Sequence, residues 1–434
     1  MLSAFANAFR TPDLRRKLLF VLMIITIFRL GSQVPAPGVH VSNVQQCLDL
    51  AQQGENAGLY SLINLFSGGA LLQLTIFALG IMPYITASII LQLLVVVIPR
   101  LEALKKEGQA GQAKITQYTR MLTLGLALLQ ATGIVALARS GDLLTDCTLP
   151  LLHDNGTSTF LIMVITMTAG TAVIMWLGEL ITEHGIGNGM SLLIFTQVVA
   201  TFPSSMWAVR ISQGWWVFGI VMVIGFVIIA AVIFIEQAQR RIPVQYARRM
   251  VGRKMFGGSS TYIPLKVNQA GIIPVIFASS LMYLPAMAVQ FNRTNDSQWV
   301  QLLNRYFVEG SHPLYMAVFF GLIVFFTYFY VSITFNPQEV ADNMKKYGGF
   351  IPGIRAGKPT EDYLSYVLSR ITLPGALYLG LISLIPLIAL VLIEANQNFP
   401  FGGTSILIMV GVALDTVKQI ESQLQQRNYE GFLR

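Results

Sequence analysis

The sequence predicts an all-α polytopic membrane protein with ten transmembrane helices in two inverted halves of five. Three observations predict it. Of the 434 residues, 54% are hydrophobic and 12% charged, with a mean hydropathy of +0.61; soluble domains carry roughly 25% charged residues. The apolar residues gather in ten runs, near 18–34, 73–98, 118–138, 160–180, 190–208, 215–235, 270–290, 314–335, 371–393 and 403–420, each close to the ~20 residues a bilayer crossing needs. Finally, one phrase occurs twice: GIMPYITAS at 80–88 and GIIPVIFAS at 271–279, in the second and seventh runs.

The first run follows Arg15, Arg16 and Lys17 and precedes small residues. A cleavable signal peptide has that pattern too, but nine further runs favour a retained helix. The second run has an apolar approach, 57–99, longer than one crossing requires. Gly68 and Gly69 weaken it early. A short helix over about 60–67 could dip in from outside, because irregular backbone at membrane depth survives inside protein or a water-filled cavity. The alternative is a helix lying flat on the outer leaflet. Runs four and five are joined by the short GELITEHGIGNG, with Glu179, Glu183 and a solitary His184.

Runs six and seven are joined by 236–268, with seven basic residues and one acid, and runs eight and nine by 336–370, with five basic and four acidic. Both exceed what membrane insertion requires. The first alternates β-branched and basic residues and predicts a hairpin with its tip near Gly257 and Gly258. Contact with anionic lipids and docking of an acidic or phosphate-rich partner are both open to these loops.

Ten runs divide into halves 1–209 and 210–434. The phrases match at Gly80/Gly271, Ile81/Ile272, Pro83/Pro274, Ile85/Ile276, Ala87/Ala278 and Ser88/Ser279. An odd number of spans per half inverts the second half, and inverted repeats place a pathway between the halves near the midplane. The prolines of spans two, seven and nine (Pro83, Pro274, Pro374, Pro386) are expected to remove backbone bonds and permit bending.

With the N-terminus in the cytoplasm, cytoplasmic segments hold 24 of the 29 Lys and Arg, while the acids divide 13 inside to 8 outside. That cationic bias is the positive-inside pattern and predicts a multi-pass protein of the cytoplasmic (inner) membrane with both termini cytoplasmic. The net charge of +8 therefore reflects inner loops, with no specific nucleic-acid readout. Cys47 and Cys147 lie in predicted loops without metal or redox spacing; free thiols are the expectation, with pairing left open. The chain offers no nucleophile–base pair, phosphate-binding loop or clearly mid-membrane acid. No enzyme activity, metal or cofactor is implied. What occupies mid-membrane is branched and apolar, and a hydrophobic constriction can close a pore.

Eight segments carry a resemblance that runs in order over essentially the whole chain: RRKLLFVLMIITIFRLGSQVPAPGV, NLFSGGAL, FALGIMPYITASIILQLL, KKEGQAGQAKITQYTR, MWLGELITEHGIGNGMS, IPLKVNQAGIIPVIFASS, FNPQEVADNMKKYGGFIPGIRAGKPT and FGGTSILI. The chain resembles the SecY family, the central subunits of bacterial protein-translocation channels. The resemblance implies a clamshell of two inverted halves around an hourglass pore, passing secretory polypeptides across the membrane and releasing membrane segments sideways. It implies a pore ring of Ile81, Ile85, Met190, Ile194, Ile276 and Ile408, where Met190 replaces the commoner Ile and keeps its bulk. It implies a plug over about 60–72 (Tyr60, Leu62, Ile63, Asn64, Leu65, Phe66, Ser67, Gly68, Gly69), which favours the inward-dipping helix. Thr86, Ser88, Gln92, Gln130, Asn268 and Ser279 become polar members of a lateral gate between spans two–three and seven–eight. Arg240, Arg241, Arg248, Arg249, Lys266 and Arg355 become contacts for the SecA ATPase or the ribosome. SecE, SecG, signal-sequence-bearing polypeptides and anionic lipids are the other implied partners.

Overall fold

A computed structural model describes residues 9, 11–51, 69–141, 143, 147, 149–154, 156–246, 249–251, 254–256, 260–291, 298–308, 312–393 and 403–431. It is a helical protein: α1 Pro12–Gly31, α2 Val41–Ala51, α3 Met82–Val97, α4 Pro99–Lys106, α5 Gln109–Ser140, α6 Thr157–His184, α7 Gly189–Gln237, α8 Ile273–Phe291, α9 Gln298–Leu303, α10 Pro313–Thr334, α11 Pro337–Lys346, α12 Lys358–Ile393 and α13 Gly403–Gly431. All ten apolar runs fall on helices. Among the described residues, five helices are long and apolar enough by themselves to cross a bilayer: Gln109–Ser140, Thr157–His184, Gly214–Gln237, Pro313–Lys346 and Lys358–Ile385. The pair α3 and α4, bent by 99°, meets the same length and composition test only when its two helices are counted together.

The repeated phrase has a backbone counterpart. Gly80 and Gly271 both take positive φ, 56° and 62°, and each is followed at once by a helix, α3 at Met82 and α8 at Ile273. Pro83 and Pro274 therefore sit in the first helical turn, where a missing N–H costs nothing and the fixed φ suits the helix. This corrects the expectation that these two prolines bend their spans. They start helices instead. It also shortens the second span, because Gly69–Ile81 is a series of turns. Leu74 is left-handed there (φ 50°) and Thr75 bridges to Pro35. Pro374 does lie inside a long helix, α12.

The single helix α7 covers runs five and six, but Gly214 at φ 79°, ψ −179° breaks it. Only glycine enters that region cheaply, so the break falls four residues beyond the expected boundary between the halves. Helix α3 packs on α5, α5 on α6, α8 on α10, α10 on α12, and α13 on α7. The largest apolar cluster draws on α1, α3, α6, α7, α8, α10, α12 and α13.

The 236–268 loop does form a hairpin. Strand β1 (Gln239–Tyr246) pairs antiparallel with β4 (Ser260–Lys266), from Gln239 opposite Lys266 to Gln245 opposite Ser260. Strand β2 (Arg249–Val251) pairs with β3 (Lys254–Phe256) in the same register. The last described pair is Val251 with Lys254, so the chain reverses between them, short of the expected tip at Gly257 and Gly258, which lies outside the described residues. The second long loop contributes α11 and a two-residue strand β5, Gly349–Phe350, hydrogen-bonded to β1 opposite Gln245 and Tyr246. Ile242, Val244, Leu265, Met344, Ile351, Leu364 and Val367 form a small core beneath them. The two loops thus fold as one module.

Cys47 and Cys147 are joined by a disulfide, with Cα atoms 5.2 Å apart. The expectation of free thiols is corrected. Sequence spacing missed the pair because α2 and the segment after α5 meet only in three dimensions. Val39 bridges Leu152, the His40 amide donates to the Leu151 carbonyl at 2.9 Å, and the His153 amide donates to the Gly38 carbonyl at 2.9 Å.

Candidate functional site

The expected ring residues lie on or beside four helices, α3, α7, α8 and α13. Ile81 caps the start of α3 and its carbonyl accepts from the amides of Tyr84 and Ile85 at 3.1 Å. One turn on, Ile85 shares its face. Asn188 sets the start of α7: its Oδ1 accepts from the Met190 amide at 3.1 Å and the Ser191 amide at 3.4 Å. That places Met190 and Ile194 on successive turns. Ile276 lies in the first turn of α8, and Ile408 early in α13. Ile81, Ile85, Ile194, Ile276 and Ile408 are all buried within the one largest apolar cluster, and Met190 packs against it. The Met190 thioether lies over Gly178 of α6, where any Cβ would meet it.

Of the expected plug residues, Tyr60, Leu62, Ile63, Asn64, Leu65, Phe66, Ser67 and Gly68 lie outside the described residues. Gly69 is in a turn with φ 89°, and 70–72 continue as turn. This corrects the helical reading for those four positions. Gly69 ends helical geometry because positive φ cannot continue a right-handed helix.

The two helices that bear the repeated phrase, α3 and α8, touch each other. Thr86 Oγ1 donates to the Met82 carbonyl at 3.0 Å and Ser279 Oγ to the Val275 carbonyl at 2.8 Å. Both hydroxyls are satisfied within their own helices, so the seam has no hydrogen bond from either. Ser88, Gln92 and Gln130 are half-buried. Asn268 is buried, and its Nδ2 donates to Glu236 Oε1 at 2.6 Å and to the Gly271 carbonyl at 3.1 Å. It ties the root of the hairpin to the end of α7 and to the start of α8.

Glu236 is itself buried (8% exposed), and a buried carboxylate needs its donors. Asn268→Leu should therefore lower stability by about 2–3 kcal/mol, the range for hydrogen bonds to charged groups. Glu236→Gln, which keeps an acceptor for Asn268, should cost less. Thermal unfolding of the detergent-solubilised pair checks the order; equal effects would deny the contact its role.

Arg240 and Arg241 are exposed on β1, with Arg241 stacked 4.9 Å over the Tyr262 ring. Arg249 lies in β2, and Arg248 falls outside the described residues. Lys266, at the base of the hairpin, is 3.6 Å from Asp415 of α13. Arg355 is exposed in the turn after β5, and its carbonyl accepts from Thr360 Oγ1 at 2.9 Å. Because β5 is added to β1, Arg355 and the hairpin arginines belong to one folded unit. Nothing in either loop alone signals that union.

Other contacts had no signal in the sequence reading. The guanidinium of Arg210 lies 4.1 Å from the ring centroids of both Trp207 and Trp215, bracing the break at Gly214 by cation–π contact. Arg120 of α5 pairs with Glu179 of α6 at 2.8 Å. Trp207 and Trp215 flank a glycine break, a pattern visible once a hinge is suspected. Among the described residues no three His, Cys, Asp or Glu gather as metal ligands.

Long apolar helices packed around an apolar centre, with a folded pair of long loops, define the class of polytopic membrane proteins. Residues 75–417 match the family model for SecY. The chain is 66% identical over 440 residues to the protein translocase subunit SecY of Streptomyces scabiei, and 60% identical over 441 residues to that of Mycobacterium tuberculosis, covering 100% of both chains in each case. The chain belongs to the SecY family. The fold agrees with a solved protein-conducting channel (TM-score 0.61, 18% identity, 94% of this chain and 91% of that one) and with a SecY structure described for its plug domain and closed state (TM-score 0.62, 18% identity, the same coverage). Canine Sec61 in a ribosome–channel complex gives a TM-score of 0.58 at 17% identity.

Proposed function

We propose that the chain is the pore of a protein translocase, conducting unfolded polypeptides across the cytoplasmic membrane and releasing apolar segments sideways into lipid. The observation that carries this reading is the convergence of Ile81, Ile85, Met190, Ile194, Ile276 and Ile408 from both halves in one apolar cluster. Branched apolar side chains can seal a resting pore, spread around a moving chain and offer it no hydrogen bond to hold.

In this reading the halves 1–209 and 210–434 hinge at Gly214, and a signal sequence parts α3 from α8. Segment 60–72 then leaves the ring. Thr86 and Ser279, satisfied within their own helices, let the seam part without stranding a buried donor. Direction comes from SecA or the ribosome, seated on the module that carries Arg240, Arg241 and Arg355, while SecE and SecG brace the helices from outside. The Lys and Arg distribution supports a cytoplasmic position for that module and both termini. Energy comes from the partner, and the chain itself gates.

Reconstitution tests the proposal. Vesicles containing the chain with SecE, SecG and SecA should protect a secretory precursor from protease only when ATP is present. A precursor that stays fully accessible, alongside uptake of a small solute, would replace the channel by a solute transporter.

A further inference from the structure

The disulfide joins parts of the chain that the proposed topology puts on the outer side of the membrane. Cys47 is wholly buried, and Cys147 packs beside it in a second apolar cluster with Leu71, Leu72, Leu74, Leu143, Leu151 and Leu152. The bond does not act alone. Asn43 Nδ2 donates to the Pro150 carbonyl at 2.9 Å, and the rings of His40 and His153 lie 3.9 Å apart. On the other flank the Ala36 amide donates to the Leu74 carbonyl at 2.9 Å and the Ile76 amide to the Val34 carbonyl at 3.0 Å. Segments 34–47, 70–79 and 143–153 are therefore one block. The proposed plug leaves that block just beyond Cys47 and returns to it at Gly69.

We infer that Cys47 and Cys147 are a substrate pair for a protein disulfide oxidant acting on the outer face, and that the resulting bond anchors this block as one unit. The inference rests on the proposed orientation. Disulfides persist where the compartment is oxidising, which the cytoplasm is not. Chain order fixes the timing: Cys147 reaches the outer side only after α5 has crossed, so Cys47 waits there as a free thiol. One cysteine thiolate attacks the oxidant's disulfide, forming a mixed disulfide and releasing one oxidant thiolate. The second cysteine thiolate then attacks its partner's sulfur in that mixed disulfide and releases the other oxidant thiolate. Two thiols become one disulfide, the oxidant becomes a dithiol, and no other reductant or oxidant is needed.

The bond keeps the block closed against local opening. Replacing both cysteines by serine should make the outer segment 142–156 roughly ten-fold more susceptible to protease added outside, and reduction of the folded wild-type protein should do the same.

Thiol counting in whole cells separates the possibilities. After denaturation, the wild-type chain should accept no maleimide–polyethylene glycol before reduction and two after it. The Cys47→Ser chain should be labelled at Cys147 by a membrane-impermeant maleimide in intact cells. Two additions without reduction, with Cys47→Ser still labelled from outside, would overturn the bond and leave the topology standing. Labelling of Cys47→Ser only after permeabilisation would overturn the topology and the inference with it. Intact oxidation with unchanged protease rates in the double variant would overturn the anchoring role.

Discussion

Arg355→Glu should reduce partner-driven translocation by about 30-fold or more, the loss expected when a contact worth at least 2 kcal/mol is removed. Reversing the charge adds repulsion against an acidic partner surface. The fold should survive. Arg355 is exposed, and the Thr360 hydroxyl that holds its turn bonds to the main-chain carbonyl, which the substitution keeps. Arg355→Lys should fall between the two, retaining charge but losing the planar fork of donors. ATP-dependent precursor protection in vesicles measures the effect, with assembled chain quantified in parallel. Normal transport by the glutamate variant would remove Arg355 from the docking surface.

The second large effect is expected at the ring. Ile408 is 1% exposed at the centre of the apolar cluster. A lysine placed at mid-membrane costs about 3 kcal/mol, and the closed arrangement is where that cost falls. An open pore wets the same side chain. The balance should therefore shift toward the leaking form by about 100-fold, read as ion flux through vesicles holding Ile408→Lys channels without any precursor. Ile408→Leu conserves volume and should leave the seal near its original tightness. Equal flux through the lysine variant and the parent, in chains that remain assembled, would place the constriction elsewhere.

The helices were largely legible because hydropathy needs no tertiary information: every apolar run overlaps one, with runs five and six sharing α7. The repeated phrase was also legible, as was the burial of Ile81, Ile85, Ile194, Ile276 and Ile408 within one apolar cluster. Its backbone meaning was not. A proline within an apolar run reads the same whether it interrupts a helix or begins one, and only the positive φ at Gly80 and Gly271 separates the two. The hairpin was visible in alternation, but its tip was not, since Gly257–Gly258 is the stronger turn signal while register is set along the whole ladder. Strand β5 and the Cys47–Cys147 bond escaped notice for a common reason. Each is a meeting of segments about one hundred residues apart, and spacing along the chain carries no record of it.

The twin helix starts have an electrostatic consequence. A helix that begins at Met82 or Ile273 has aligned peptide dipoles that give its start about half a positive charge. Both starts adjoin the proposed constriction, through Ile81 on one side and Ile276 on the other. If the proposed constriction holds, its surroundings gain a faint positive field from the main chain alone. Such a field opposes hydrated cations, protons included, yet adds no fixed side-chain charge for a passing polypeptide to bind. Selectivity against leak would then be written in the main chain, where a side-chain substitution cannot easily erase it.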